Sequence, residues 1–203
     1  MSNSSEHWDK VYKTKNHTKL SWHQDISTIS FEWILHYANK RDAIIDVGSG
    51  VSILIDNLID SGYLDMSLVE ISKTAIETTK KRIGNSTYIS FFNKDILEFH
   101  SNKKYKIWHD RAVFHFLNEK KEQQLYIDKV NQYLALKGYF ILATFSPEGP
   151  NECSGLSIEQ YDEKKISKLL MKNFKLIKTI KESHPHPNGG NQNFNYFCFQ
   201  KTK

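Results

Sequence analysis

Three carboxylates stand where strands are expected to end. Asp46 follows three apolar residues and precedes Gly48 and Gly50 in "AIIDVGSGVS" (43–52), Glu70 closes "MSLVE", and Asp95 lies in "FFNKDIL". Glycines just after a strand let the backbone approach a ligand with no Cβ in the way. A dinucleotide would call for G-x-G-x-x-G with its pyrophosphate on the helix N-terminus. Here the third glycine position is Ile53, and Asp46 would meet a diphosphate with like charge. A ligand with a cationic amino group and no phosphate suits these residues better. Further along, "WHDRAVFHF" (108–116) gathers His109, Asp110, Arg111 and His115. These groups could accept a proton from a second molecule or steer it into place.

The elements that must carry these residues follow from the apolar pattern. A helix is expected over 28–39, with Phe31, Ile34, Leu35 and Ala38 at helix spacing. "AIIDV" reads as a buried strand and "SILIDNLIDSG" as an amphipathic helix stopped at Gly62. Strand "MSLVE" and helix "SKTAIETTKKRI", ended by Gly84, repeat the alternation. Strands "TYISFFN" and "KIWHD" come next, then a helix over 118–134 that Gly138 should end before the strand "YFILATF". Such alternation implies a parallel sheet covered by helices on both faces. Ser157 and Gln160 form a plausible capping box for one more helix, through Leu170. The strands "FKLIKTIKE" and "NFNYFCFQ", joined by the turn "SHPHPNGGNQ", close the chain as an antiparallel hairpin.

"DVGSG" resembles the D-x-G-x-G signature of the class I (seven-β-strand, Rossmann-like) S-adenosylmethionine (SAM)-dependent methyltransferases, with Ser52 where the family often has a further glycine. The resemblance implies an α/β doubly wound, mostly parallel seven-stranded sheet with a C-terminal antiparallel hairpin. It implies SAM as donor and S-adenosylhomocysteine (SAH) as product. It assigns Asp46, Gly48, Ser49, Gly50, Glu70, Ile71, Asp95 and Ile96 to the cofactor, with Asp46 toward its ammonium group, Glu70 at the ribose hydroxyls and Asp95 and Ile96 at the adenine. Asp110 would touch the cofactor from the fourth strand and His115 would face the acceptor; these two are the candidate catalytic residues. "HWDKVY" and "SWHQ" resemble the N-terminal segments of small methyltransferases in which an aromatic lid folds over the donor. That makes Trp22 a cofactor contact and Trp8 and Tyr12 pocket residues. Arg111, Cys153 and His184 complete the expected acceptor pocket. Without an Asn/Asp-Pro-Pro-aromatic motif, DNA adenine and glutamine are poor acceptors.

Composition bounds the rest. The 203 residues fit one domain, with 1–40 as an N-terminal lid and helical segment and 41–203 as the cofactor-binding core. No apolar run is long enough to cross a bilayer, and "MSNSSEHWDK" has no secretory pattern, so a cytoplasmic protein is expected. Two cysteines preclude a disulfide framework, and although Cys153, His184 and His186 could meet a soft metal, no metal is expected. The net charge of +5 comes from scattered lysines with only three arginines, which argues against a nucleic-acid partner. A small-molecule acceptor is the leading expectation and a protein lysine the alternative. An RNA methyltransferase, an NAD(P)-dependent reductase and a non-catalytic SAM-binding protein rank lower.

Overall fold

The computed structural model describes residues 5–24, 28–84, 86–186 and 189–203. It opens with α1 (Ser5–Thr14) and α2 (Thr28–Tyr37), then alternates β1 (Ile44–Val47), α3 (Leu54–Asp60), β2 (Met66–Glu70), α4 (Lys73–Ile83), β3 (Ile89–Asn93), β4 (Tyr105–Arg111), α5 (Lys120–Tyr133) and β5 (Leu134–Phe145). A two-residue-per-strand ribbon, β6 (Glu152–Cys153) and β7 (Leu156–Ser157), precedes α6 (Glu163–Leu170). The hairpin β8 (Phe174–Pro185) and β9 (Asn191–Lys201) follows. The seven-stranded sheet runs β3-β2-β1-β4-β5-β9-β8. β1 to β5 are parallel, and β9 runs antiparallel to both neighbours. Among the described residues no helix is long and apolar enough to cross a membrane.

Neighbouring residues of each central strand feed opposite faces. Trp108, Phe140 and Phe197 pack with Tyr126 of α5 and Ile166 of α6. Ile107, Ile141 and Tyr196 pack with Trp33 and Ile34 of α2 and Leu54 and Leu58 of α3. Both faces are therefore buried, as a parallel sheet requires. Strand order reverses between β1 and β4, and in such sheets ligands bind at the carboxyl ends beside the reversal.

Gly62 and Gly84 follow their helices at positive φ, as expected of helix stops. Three local expectations need correction. Gly138 does not end α5, because β5 begins directly at Leu134 and slips register against β4 between Tyr105 and Ile107. A Cβ on Gly138 would lie 2.8 Å from the Ala135 carbonyl oxygen and 3.0 Å from that of Lys106, so the glycine serves this tight backbone passage. Ser157 and Gln160 form no capping box: Ser157 belongs to β7, and the Gln160 amide donates to the Gly149 and Pro150 carbonyls. α6 is instead capped by Asp162, whose side chain accepts from the Lys165 N–H. The closing strands also run longer than the sequence implied, to Pro185 and from Asn191.

Candidate active site

The glycine turn after β1 and the acid after β2 form one unit. Gly48 and Gly50 take φ values of +62° and +51°. A Cβ on Gly48 would come 2.0 Å from Cγ2 of Val113, so this backbone is packed where a side chain cannot go. Glu70 Oε2 accepts from the Gly50 N–H at 2.8 Å and Oε1 from the Ser72 N–H at 2.7 Å. The carboxylate thus ties the turn to the start of α4, and Ser72 caps that helix through Ala75. Burial lifts the Glu70 carboxyl to about 7, against the pull of those two hydrogen bonds.

Two adjoining cavities open here. The first is a cleft whose empty space, about 800 Å³, includes volume open to solvent. Glu70, Ile71, Asp95 and Ile96 line it, as do Trp8, Phe116 and Cys153. The second is lined by Asp46, Gly48, Ser49, Gly50 and His109, among others. Gly48, Tyr12, Trp22 and Arg111 border both. Asp95 also caps the short turn Ile96–Glu98 by accepting from the Leu97 N–H, and burial raises its pKa against that bond.

The N-terminal segment roofs the site. Trp8 meets Trp22 edge-on at 5.9 Å and Phe116 at 5.3 Å between ring centres. Tyr12 reaches the glycine turn: a Cβ on Gly50 would lie 2.4 Å from its hydroxyl. Two polar ties hold this roof. Asp9 of α1 accepts from the Ser72 hydroxyl at 2.6 Å and the Thr74 N–H at 2.9 Å, seating α1 on the N-terminus of α4. Arg111 donates to the Trp22 carbonyl at 2.9 Å and the Tyr196 hydroxyl at 2.7 Å, with Glu182 at 3.6 Å. Gln24 joins the same Glu182. Arg111 is therefore a latch between the roof and the closing hairpin.

Three expected acceptor-side or catalytic residues sit elsewhere. Asp110 borders neither cavity. Its carboxylate accepts from the Val113 and Phe114 N–H groups and the Tyr126 hydroxyl, closing the turn at 114–116, while burial raises its pKa to about 6. His115 is wholly buried against Phe116 and Phe145, and its Nδ1 accepts from the Phe145 N–H at 3.4 Å. Burial, then the Arg111 charge, holds its pKa near 3, so it is a neutral core imidazole. His184 packs edge-on against Phe194 and also borders neither cavity. Cys153 does face the first cavity, but burial pushes its thiol up to about 12, which keeps it protonated. The sequence reading missed Asp9, Val113 and Phe116, although all three lie inside stretches it singles out, "HWDKVY" and "WHDRAVFHF".

This sheet order, with a glycine turn at β1 and an acid closing β2, is the architecture of the class I SAM-dependent methyltransferases. A family model described as a methyltransferase domain matches residues 38–197, and the chain belongs to that family. Among curated proteins, the chain is 29% identical over 100 residues to the mouse "eEF1A lysine and N-terminal methyltransferase", covering 47% of this chain and 14% of that one. It is 26% identical over 89 residues to "Malonyl-[acyl-carrier protein] O-methyltransferase 1" of Ilyobacter polytropus, covering 43% and 33%. The match thus spans only a minor part of either relative. Among solved structures, the Burkholderia thailandensis 1,6-didemethyltoxoflavin-N1-methyltransferase superposes with a TM-score of 0.76 at 16% identity, over 98% of this chain and 87% of that one. The magnesium protoporphyrin IX methyltransferase of Synechocystis PCC 6803 gives 0.72 at 14% identity, over 98% of both. At such identities the likeness is one of fold.

Proposed function

We propose that this protein transfers the methyl group of SAM to an apolar small-molecule acceptor held under the aromatic roof, releasing SAH. The observation that carries the reading is the junction of the two cavities. The cavity of Asp46 and the glycine turn and the cavity of Glu70, Asp95 and the aromatic rings share Gly48, Tyr12, Trp22 and Arg111 as a common border. A donor with its amino-acid end in the former and its adenosine end in the latter would carry its methyl group across that border, beside the space under Trp8 and Phe116 where an acceptor would meet it.

The residues present fit the donor. Glu70, fixed by two backbone N–H groups, retains lone pairs to accept from ribose hydroxyls. Asp95 and Ile96 would hold the purine, the first by hydrogen bonding and the second by packing. Asp46 with Gly48, Ser49 and Gly50 would hold the amino-acid end, where a carboxylate favours an ammonium. When bound, the cofactor supplies a methyl group already activated by a positive sulfur. Trp8, Trp22 and Phe116 would exclude water and favour that charge with their ring faces. Neither Asp110 nor His115 borders the cleft, so neither is assigned proton transfer here.

A roof pinned at Asp9 and latched at Arg111 favours an acceptor that enters whole over one presented on a large polypeptide. The protein-lysine reading draws its support from the name shared by the mouse, Danio rerio and Bos taurus relatives. Incubating cell extract with the protein and deuteromethyl SAM, followed by mass spectrometry, separates the two. A labelled small metabolite is expected, and label confined to polypeptide would overturn the small-molecule assignment.

A further inference from the structure

Asp46 and His109 are partners in the parallel pairing of β1 with β4, so they leave the sheet on the same face at the point where strand order reverses. His109 Nδ1 lies 2.6 Å from Asp46 Oδ1, and Nε2 lies 2.8 Å from the Ser30 hydroxyl on α2. An ionised carboxylate only accepts, so Nδ1 carries a proton. All three side chains are buried, at 6%, 4% and 1% exposure for Asp46, His109 and Ser30. Both ring nitrogens are engaged, which leaves the imidazole no free atom for acid–base work on a bound molecule. Asp46 and His109 nonetheless both border the cavity beside the glycine turn.

We infer that His109 is a positioning residue for cofactor binding. Anchored by Ser30, its Nδ1–H fixes one oxygen of Asp46 and so sets the carboxylate plane that the amino group of the cofactor meets. The inference rests on the proposed assignment of this cavity to the amino-acid end of SAM. A buried carboxylate without that donor would either turn toward other protein donors or hold its charge less well, and in both cases bind an ammonium more weakly. α2 lies outside the glycine turn, so the chain of three side chains gives a helix packed over β4 and β5 a hold on the ligand.

The test compares two amides. In His109→Asn the side-chain nitrogen can stand near the position of Nδ1, whereas in His109→Gln it reaches toward that of Nε2. Titrating SAH by calorimetry, His109→Asn should stay within about threefold of the unaltered protein and His109→Gln should weaken by about tenfold or more. Ser30→Ala, which removes only the outer hydrogen bond, should weaken binding by about twofold to threefold, as His109→Asn does because it too lacks that bond. A general loss of packing would act on both amides alike and would appear in their melting temperatures. Equal affinities for the Asn and Gln variants, or an unchanged affinity in Ser30→Ala, would overturn the positioning role while leaving the methyltransferase reading intact. Failure of the unaltered protein to bind SAH would instead overturn that reading, and this inference with it.

Discussion

Gly50 and Glu70 lie 20 residues apart and touch through a single hydrogen bond, within one strand–helix–strand unit. Trp8 in the first helix and Phe116 after the fourth strand lie 108 residues apart and meet ring against ring at 5.3 Å. The end of the cleft proposed for the donor is thus assembled from loops that follow adjacent strands, β1, β2 and β3. The end proposed for the acceptor is assembled from the N-terminal helix, the loop after β4, the β6–β7 ribbon and a latch to the closing hairpin. The family match begins at residue 38, so α1, which carries Trp8 and Tyr12, lies outside it. A site made by neighbouring strand ends is inherited with the fold, whereas a roof made by a separate segment can be remodelled without disturbing it. That difference explains why the donor can be proposed with a residue for each of its parts and the acceptor only as a class.

The comparison is broken most severely at Gly48. Alanine there must adopt a left-handed conformation, at a cost of about 1–2 kcal/mol, and displace Val113 from 2.0 Å, which adds about 1–3 kcal/mol. Gly62 has a similarly positive φ of +80° but nothing within 4 Å of its would-be Cβ. Gly48→Ala should therefore lower the melting temperature well beyond Gly62→Ala and abolish measurable SAH binding, which Gly62→Ala should preserve.

A graded effect is expected at Glu70. With its pKa lifted to about 7, the carboxyl gains a proton as pH falls below that value and loses acceptor capacity. SAH affinity should drop by up to about tenfold per pH unit below 7 and level off above it. Glu70→Gln should remove this slope and bind more weakly throughout, because an amide can answer only one of the two backbone N–H groups as acceptor. The stability of the protein alone should move the other way. A raised folded-state pKa means that this group's contribution is present below its ordinary value of 4.5 and is lost as pH rises through about 7.

The mildest effect sharpens the contrast from the acceptor side. Trp8→Ala removes the ring contacts with His7, Tyr12, Trp22 and Phe116 from the roof but no part of the glycine turn. SAH affinity should change by no more than about threefold, while label transfer to the acceptor identified by mass spectrometry slows by about tenfold. An equal loss in both measurements would erase the distinction between the two ends.

The donor end was legible because its signals are local. A strand of four buried residues, two glycines at positive φ and an acid closing the next strand leave their pattern in consecutive letters, and the parallel sheet follows from the alternation around them. The helix stops at Gly62 and Gly84 were legible for the same reason. Gly138 was misread because its constraint comes from the Lys106 carbonyl of the neighbouring strand, which no reading of its own segment could supply.

The "WHDRAVFHF" stretch was legible as a place but not as a set of roles. Side chains at the end of a strand diverge within one residue, so position in sequence does not say which of them faces the cleft. His109 turned to Asp46, Asp110 turned back on its own loop and on Tyr126, and His115 entered the core beside Phe145. Sequence by itself determined the sheet, the glycine turn and the order of the acids, since backbone sterics and apolar periodicity act over a few residues. Tertiary structure alone decided which polar groups near the fourth strand reach the cleft, and it joined Asp9, Arg111 and Trp8 into a roof. Those outcomes depend on which distant donors and rings satisfy each buried group, and burial leaves each such group only the partners that the fold brings within about 3 Å.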